Sequence, residues 1–400
     1  MKVICIHHRL AGLTSHHFNE AQGFMQEFGR RGKEFLLLIS THASAQLASE
    51  LNARAVLDDP TFRMEWIFKE RSERFVAMLH AQIDADLNAN DCVLSTISTQ
   101  LEAHALTRWL QELPLDKKPW VVILFLSDRW NRSGREEYER QIAEFRMLNA
   151  AISSLIPEDA HRLIFVTLTN LLAEELSALL GTKVDVAPIP LPYADPRLYG
   201  SAKRNPHLPR VAVLGGTRRE KGSYLIPDIV RACRSYVRVE FLIHLTNNTL
   251  TAEEAVKLAR IAEELQVTVI REPMSRPEYN TALDSADIVL LPYEVVPYRK
   301  RISGVFAEAV ANGKPIVTTR GTWMAEQIEA GRAAGTIFQD LRPDSIARAL
   351  ARCVADLGTI QESAWAMSIE WTRNSGVAAF VDLMEKQIAL RSDEATSSAK

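Results

Sequence analysis

The stretch VAVLGGTRREKGSYLIPDIVRAC, Val211 to Cys233, decides how the chain is read. Val211–Leu214 is a strand-length apolar run, Gly215 and Gly216 permit a tight turn, and Arg218, Arg219 and Lys221 follow before a helix opens near Gly222. A glycine-rich turn feeding a helix N-terminus, with cations beside it, suits a diphosphate, because free backbone N–H groups and the helix dipole both favour anions. On this motif alone, a turn with a solvated basic edge explains the residues equally well.

Outward from it the alternation continues. Val239–His244, Thr268–Arg271, Ile288–Pro292 and Ile316–Thr319 read as strands, and Ser223–Cys233, Ala252–Leu265, Arg276–Ser285 and Gly304–Asn312 as helices. Strands that alternate with helices predict a parallel, doubly wound sheet. Upstream, Lys2–His7, Phe35–Ser40, Cys92–Ser95, Trp120–Leu126 and Leu163–Thr167 are apolar strand runs. Phe18, Ala21, Met25 and Phe28 keep helical spacing between the first two, and Glu102–Leu113 and Glu136–Ile152 supply later helices. Between these halves VDVAPIPLPYADPRLYGSAKRNPHLPR, Val184 to Arg210, holds six prolines and no helical period, so it reads as a semi-rigid linker. The expected domains are residues 1–192, a proline-rich linker at 193–210, a second α/β domain at 211–367, a C-terminal helix at 368–390 and a polar tail at 391–400. Doubly wound sheets bind ligands at the carboxyl ends of their strands, which makes the space between two such domains the expected site.

Composition narrows the function classes. With 400 residues, 47% of them apolar, and ordinary aromatic and charged fractions, the chain is a globular protein of about two domains. A net charge of −3 gives no global attraction for nucleic acid or anionic lipid. Cys5, Cys92, Cys233 and Cys353 lack paired spacing and read as buried reduced thiols. No leader-like or membrane-spanning apolar stretch is present, so a cytoplasmic location is expected. Phe62–Phe75 mixes aromatic and basic residues, which fits a surface helix or a peripheral membrane contact.

Two further constellations carry chemistry. In SGVFAEAVANGKPIVTT, Ser303 to Thr319, Ser303 and Gly304 precede a short helix. Gly304 and Val305 stand where a phosphate can approach its N-terminus, and Glu308 lies one turn in, within reach of vicinal hydroxyls. In TTRGTWMAEQI, Thr318 to Ile328, a strand end is followed by Gly321 and Glu326. Either segment also reads as an ordinary capped helix.

Taken in order, these segments resemble the group 1, or family-four, retaining glycosyltransferases of the GT-B fold. The resemblance covers nearly the whole chain and is densest over Val211–Ile328. It implies two Rossmann-like α/β domains facing a central cleft, with a nucleoside diphosphate sugar held by the second. Lys221 matches the lysine of the family's phosphate turn, and Arg218 or Arg219 stands in for its arginine. Glu308 resembles the second glutamate of a paired motif, which holds the ribose. The first glutamate of that pair would fall eight residues earlier, where this chain has Lys300. Arg299, Lys300 and Arg301 suit a diphosphate, an acidic sugar or a solvated loop.

The expected catalytic residues are therefore Arg218 and Lys221. Gly215, Gly216, Arg219, Lys300, Ser303, Gly304, Val305 and Glu308 are the expected donor-binding residues, and Gly12, His16 and Asp128 the acceptor-side ones. No cofactor beyond the donor and no metal is expected, since His7, His8, His16 and His17 show no neighbouring cysteine or carboxylate in ligand spacing. The acceptor is a carbohydrate, a lipid-linked sugar or a small molecule, and nucleic acid is not a partner. Polysaccharide or glycoconjugate synthesis follows from the resemblance, as does retention of configuration. A non-catalytic binding subunit and a nucleotide-sugar epimerase of the same fold remain alternatives at this point.

Overall fold

The computed structural model describes residues 1–10, 12, 16–57, 68–126, 135–193, 208–216, 218–245, 251–264 and 267–398. The chain forms two compact units, one of residues 1–192 with 375–400 and one of residues 193–374.

In the first unit seven parallel strands lie side by side: β1 (Lys2–His7), β2 (Glu34–Ser40), β3 (Ala53–Leu57), β4 (Cys92–Ser95), β5 (Trp120–Phe125), β6 (Leu163–Thr167) and β7 (Val184–Val186). Their spatial order is β3-β2-β1-β4-β5-β6-β7, so the order reverses between β1 and β4. Central strands covered on both faces must be apolar throughout, and β4, β5 and β6 are buried at every position. The helix Gln100–Glu112 starts at a capping box, in which Thr99 accepts from the Glu102 amide while the Glu102 carboxylate accepts from the Thr99 amide; such a cap contributes about 1 kcal/mol.

The C-terminal helix Val377–Ser398 belongs to this unit. It buries Val377, Phe380, Val381 and Met384, with Phe380 edge-on to Phe24 at 5.5 Å. Arg31 fixes its register by donating to Asp382 and Glu385, each at 2.7 Å.

The second unit carries six parallel strands: β8 (Arg210–Val213), β9 (Glu240–His244), β10 (Val267–Ile270), β11 (Ile288–Leu291), β12 (Ile316–Thr319) and β13 (Gly335–Phe338). They are ordered β10-β9-β8-β11-β12-β13. The reversal lies between β8 and β11, the two strands whose carboxyl ends carry Gly215 and Tyr293.

The structure differs from the sequence reading at several places. Val184–Val186, read as the start of the linker, is strand β7, paired with β6. Strands β3 and β13 were not expected. Residues 368–390, read as one helix, belong to two, Leu357–Asn374 and Val377–Ser398, parted at Gly376 with φ +98. The second runs on through the expected polar tail as far as Ser398. The α-helix expected near Gly222 begins at Ile226, after two single short turns, Arg219–Lys221 and Ser223–Leu225. All four cysteines are buried and reduced. No helix among the described residues is long and apolar enough to cross a membrane.

Candidate functional site

The site is built where β8, β11 and the Gly304–Ala311 helix converge. After β8 the backbone turns at Gly215 with φ +91, and a Cβ there would lie 2.7 Å from Val305 Cγ2 and 3.3 Å from Lys221 Nζ. Only glycine permits that approach, which sets the turn against the first residues of the Gly304–Ala311 helix. Gly222, at φ +71, presses equally hard on β11's exit, since a Cβ there would meet the Pro292 carbonyl oxygen at 2.1 Å.

At the head of the Gly304–Ala311 helix the Ser303 hydroxyl accepts from the Phe306 amide at 3.2 Å, and its carbonyl accepts from Ala307. The amides of Gly304 and Val305 are the remaining donors of that first turn among the described residues, and they carry its positive dipole end. Glu308 is buried one turn in, with Arg276 donating to its Oε1. Arg276 in turn rests over the Tyr279 ring at 5.5 Å.

Lys221 is the electrostatic centre. Burial pulls its ammonium down to about 8, and Arg218 and Arg301 push the same way, against Glu220 and Glu308. Its Nζ lies 5.7 Å from the centroid of Tyr293, whose ring packs on Tyr298 at 4.5 Å. Arg301 stacks over Tyr298 at 4.2 Å and reaches Glu220 at 3.5 Å, while Arg218 lies 3.8 Å from that same carboxylate. Desolvation opposes ionisation of Glu220, yet these two guanidiniums and its backbone bond leave its carboxyl below the usual range. His244, ending β9, has its pKa lowered chiefly by burial, with its bond to the Glu272 carbonyl opposing and Lys221 adding to the effect.

The structure thus brings together Gly215, Arg218, Lys221, Ser303, Gly304, Val305 and Glu308. Gly216 continues the turn at the surface. Arg219 is directed elsewhere, 4.4 Å over the Tyr224 ring and 3.7 Å from Glu254. Lys300 is half-buried in the loop between the Val295–Tyr298 and Gly304–Ala311 helices. Its neighbour Arg301, which the sequence reading named only as part of a basic run, is the one joined to Glu220 in the turn after β8. Glu326 is half-buried on the Trp323–Glu329 helix, its carboxyl raised by burial and lowered in part by Arg299.

On the acceptor side, Gly12 is exposed and His16 opens the helix His16–Arg30, while Asp128 lies outside the described residues. Of the other histidines, His8 lies in close buried contact with the Glu102 carboxylate, and His7 faces His17. The reading that these histidines have no carboxylate in ligand spacing is corrected by Glu20, one helical turn beyond His17. Its carboxyl is pushed up to about 8 by burial.

Residues 209–356 match the family model described as Glycosyl transferases group 1. Among solved structures, the Anabaena protein HepE in complex with UDP is similar at TM-score 0.67 and 13% identity, covering 97% of this chain and 100% of that one. A UDP-forming trehalose-phosphate synthase from Burkholderia xenovorans gives TM-score 0.65 and 12% identity over 97% and 99% of the two chains. The sucrose-phosphate synthase of Thermosynechococcus elongatus gives TM-score 0.61 and 14% identity over the whole of both. No curated protein sequence matches. Residues 209–356 thus match a group 1 glycosyltransferase domain, and the chain has the GT-B fold.

Proposed function

We propose that the protein moves a sugar from a nucleoside diphosphate sugar to a hydroxyl acceptor, with the diphosphate seated between the Gly215 turn and the head of the Gly304–Ala311 helix. One observation carries this reading: Lys221, Arg218 and Arg301 converge on a helix N-terminus that lies against the Gly215 turn. Three cations and two oriented amides form a preorganised field for charge that grows on the departing diphosphate as the glycosidic bond breaks. Such a field stabilises the leaving group by itself, so transfer proceeds without a metal on the diphosphate.

Glu308 accepts from the two ribose hydroxyls, oriented for that task by Arg276. HepE was solved with UDP, which supports a nucleoside diphosphate at this site. Retention of configuration, a role in polysaccharide or glycoconjugate synthesis, and an acceptor of the carbohydrate, lipid-linked or small-molecule class rest on the family resemblance.

A thermal-shift screen against UDP, GDP, ADP, dTDP and their glucose and glucuronic acid conjugates identifies the donor, because a ligand raises stability by RT ln(1 + [L]/Kd). Glu308→Ala is then expected to weaken the best ligand by tenfold to a hundredfold, from loss of a contact of about 1.5–3 kcal/mol. Unchanged affinity in a folded Glu308→Ala protein refutes the ribose role, and absence of stabilisation by every nucleotide refutes the site.

A further inference from the structure

The connection that leaves β1 gathers a second group of polar side chains, in the first unit and distinct from the diphosphate residues. His7 is the last residue of β1, at the point where strand order reverses toward β4, and the Thr96 amide after β4 closes onto the Ile6 carbonyl at 3.2 Å. Ligand sites of open parallel sheets form at such carboxyl ends. His17, in the first turn of the His16–Arg30 helix, meets His7 edge to face with ring centroids 5.1 Å apart. Glu20 is one turn further on the same helical face. One ligand atom from each of His7, His17 and Glu20 lies within 4.8 Å of the other two. Glu20 is only 4% exposed, and its Oε1 has no hydrogen-bond partner.

We propose that His7, His17 and Glu20 form a binding site for a divalent transition-metal cation, with Zn2+ the best match to the donor set. Two imidazoles and one carboxylate are a recognised zinc set when a fourth position stays open. Burial without a donor disfavours the ionised form of Glu20, and a bound cation offsets that cost while using the carboxylate oxygen as a ligand.

The size is suitable. Bonds of about 2.0–2.2 Å in tetrahedral geometry bring ligand atoms roughly 3.4 Å apart, so closure from 4.8 Å needs a contraction of at most about 1.4 Å. His17 is half-buried and supplies the adjustable rotamer, whereas His7 and Glu20 lie in the core. The metal would tie the end of β1 to the first turn of the following helix, and its open position would take water or an oxygen donor of a ligand. His8 takes no part, since Glu102 holds it.

The test uses the untagged full chain, stripped with chelator and titrated with ZnCl2 under calorimetry, with CoCl2 as a spectroscopic substitute. The wild type is expected to bind one Zn2+ per chain, to gain thermal stability from it, and to give visible Co2+ bands. Glu20→Gln and His17→Ala should each lower Zn2+ affinity at least tenfold while the metal-free proteins stay folded. Glu20→Gln keeps the side-chain shape and removes the anionic ligand oxygen that a metal would draw on, so a merely structural glutamate would leave zinc binding unchanged. Should Glu20→Gln fail to fold, the half-buried His17→Ala decides. Saturable one-to-one binding that survives both substitutions, or no such binding by the wild type, overturns the site.

Discussion

The depressed ammonium of Lys221 makes nucleotide binding depend on pH in a direction that can be worked out in advance. In the free protein Lys221 loses its proton near pH 8, because burial and the charges of Arg218 and Arg301 disfavour the cation. A bound diphosphate supplies the missing anion and returns the pKa to the ordinary lysine value of about 10.4 or above. Binding therefore takes up a proton between these two values. Affinity is flat below pH 7.5 and falls toward tenfold per pH unit above 8. Worked from these two values, the loss between pH 7.5 and 9.5 is about twentyfold. Calorimetric titration of the nucleoside diphosphate found by the thermal screen, in buffers of differing ionisation enthalpy, reads both the slope and the proton uptake. Lys221→Met should bind more weakly at pH 7.5 and show no slope. The same linkage acts on folding: the unfolded lysine keeps its proton up to about pH 10.4, so the ligand-free protein gains stability as pH rises from 8 toward 10.4. A wild-type affinity that stays level from pH 7.5 to 9.5, or a slope that persists in Lys221→Met, refutes the assignment of Lys221 to the diphosphate.

Two further outcomes follow from packing. Gly222→Ala must place a methyl group 2.1 Å from the Pro292 carbonyl at a positive φ; it should destabilise the fold by about 2–4 kcal/mol in urea titrations, whereas a loss below about 0.5 kcal/mol would mean the turn moves freely. Truncation after Asn374 removes the buried Val377, Phe380, Val381 and Met384, about 1.5–3 kcal/mol each, which together is comparable to the whole margin of an ordinary domain; dye binding to exposed apolar surface should rise sharply, while removal of residues 393–400 alone should leave dye binding and melting unchanged.

The strands of the second unit were legible because β8, β9, β11 and β12 are continuous apolar runs bounded by polar or glycine residues. Strand β3, ARAVL, alternates at the sheet edge; β7 is three residues long and runs into prolines; β13 starts at Gly335, where a Cβ would strike the Ile316 carbonyl oxygen at 1.8 Å. Short edge strands of that kind leave no periodic signal. Within the site, Gly215, Lys221 and Glu308 could be read because a turn, a cation and a carboxylate sit at fixed offsets from strand ends. Arg301 and Arg276 could not, since their roles come from Glu220 and Glu308, which are distant in sequence and meet them only through the sheet order. Glu20 escaped for a different reason. Its partner spacing is helical, three residues after His17, and that signal was present in the sequence.

The two units differ in how their chain is supplied. The second is one uninterrupted segment, so every residue of its core has left the ribosome by Asn374. The first is begun at Met1 and finished only by residues 375–400. Throughout synthesis of the second unit, the face of the His16–Arg30 helix around Phe24 therefore waits without Phe380, and Arg31 waits without Asp382 and Glu385. An N-terminal half held open in this way is exposed to aggregation for the whole of that interval. The last helix acts as a latch on translation: termination between Asn374 and Val377 leaves a complete second unit attached to an unfinished first one, marked for removal by its own uncovered surface.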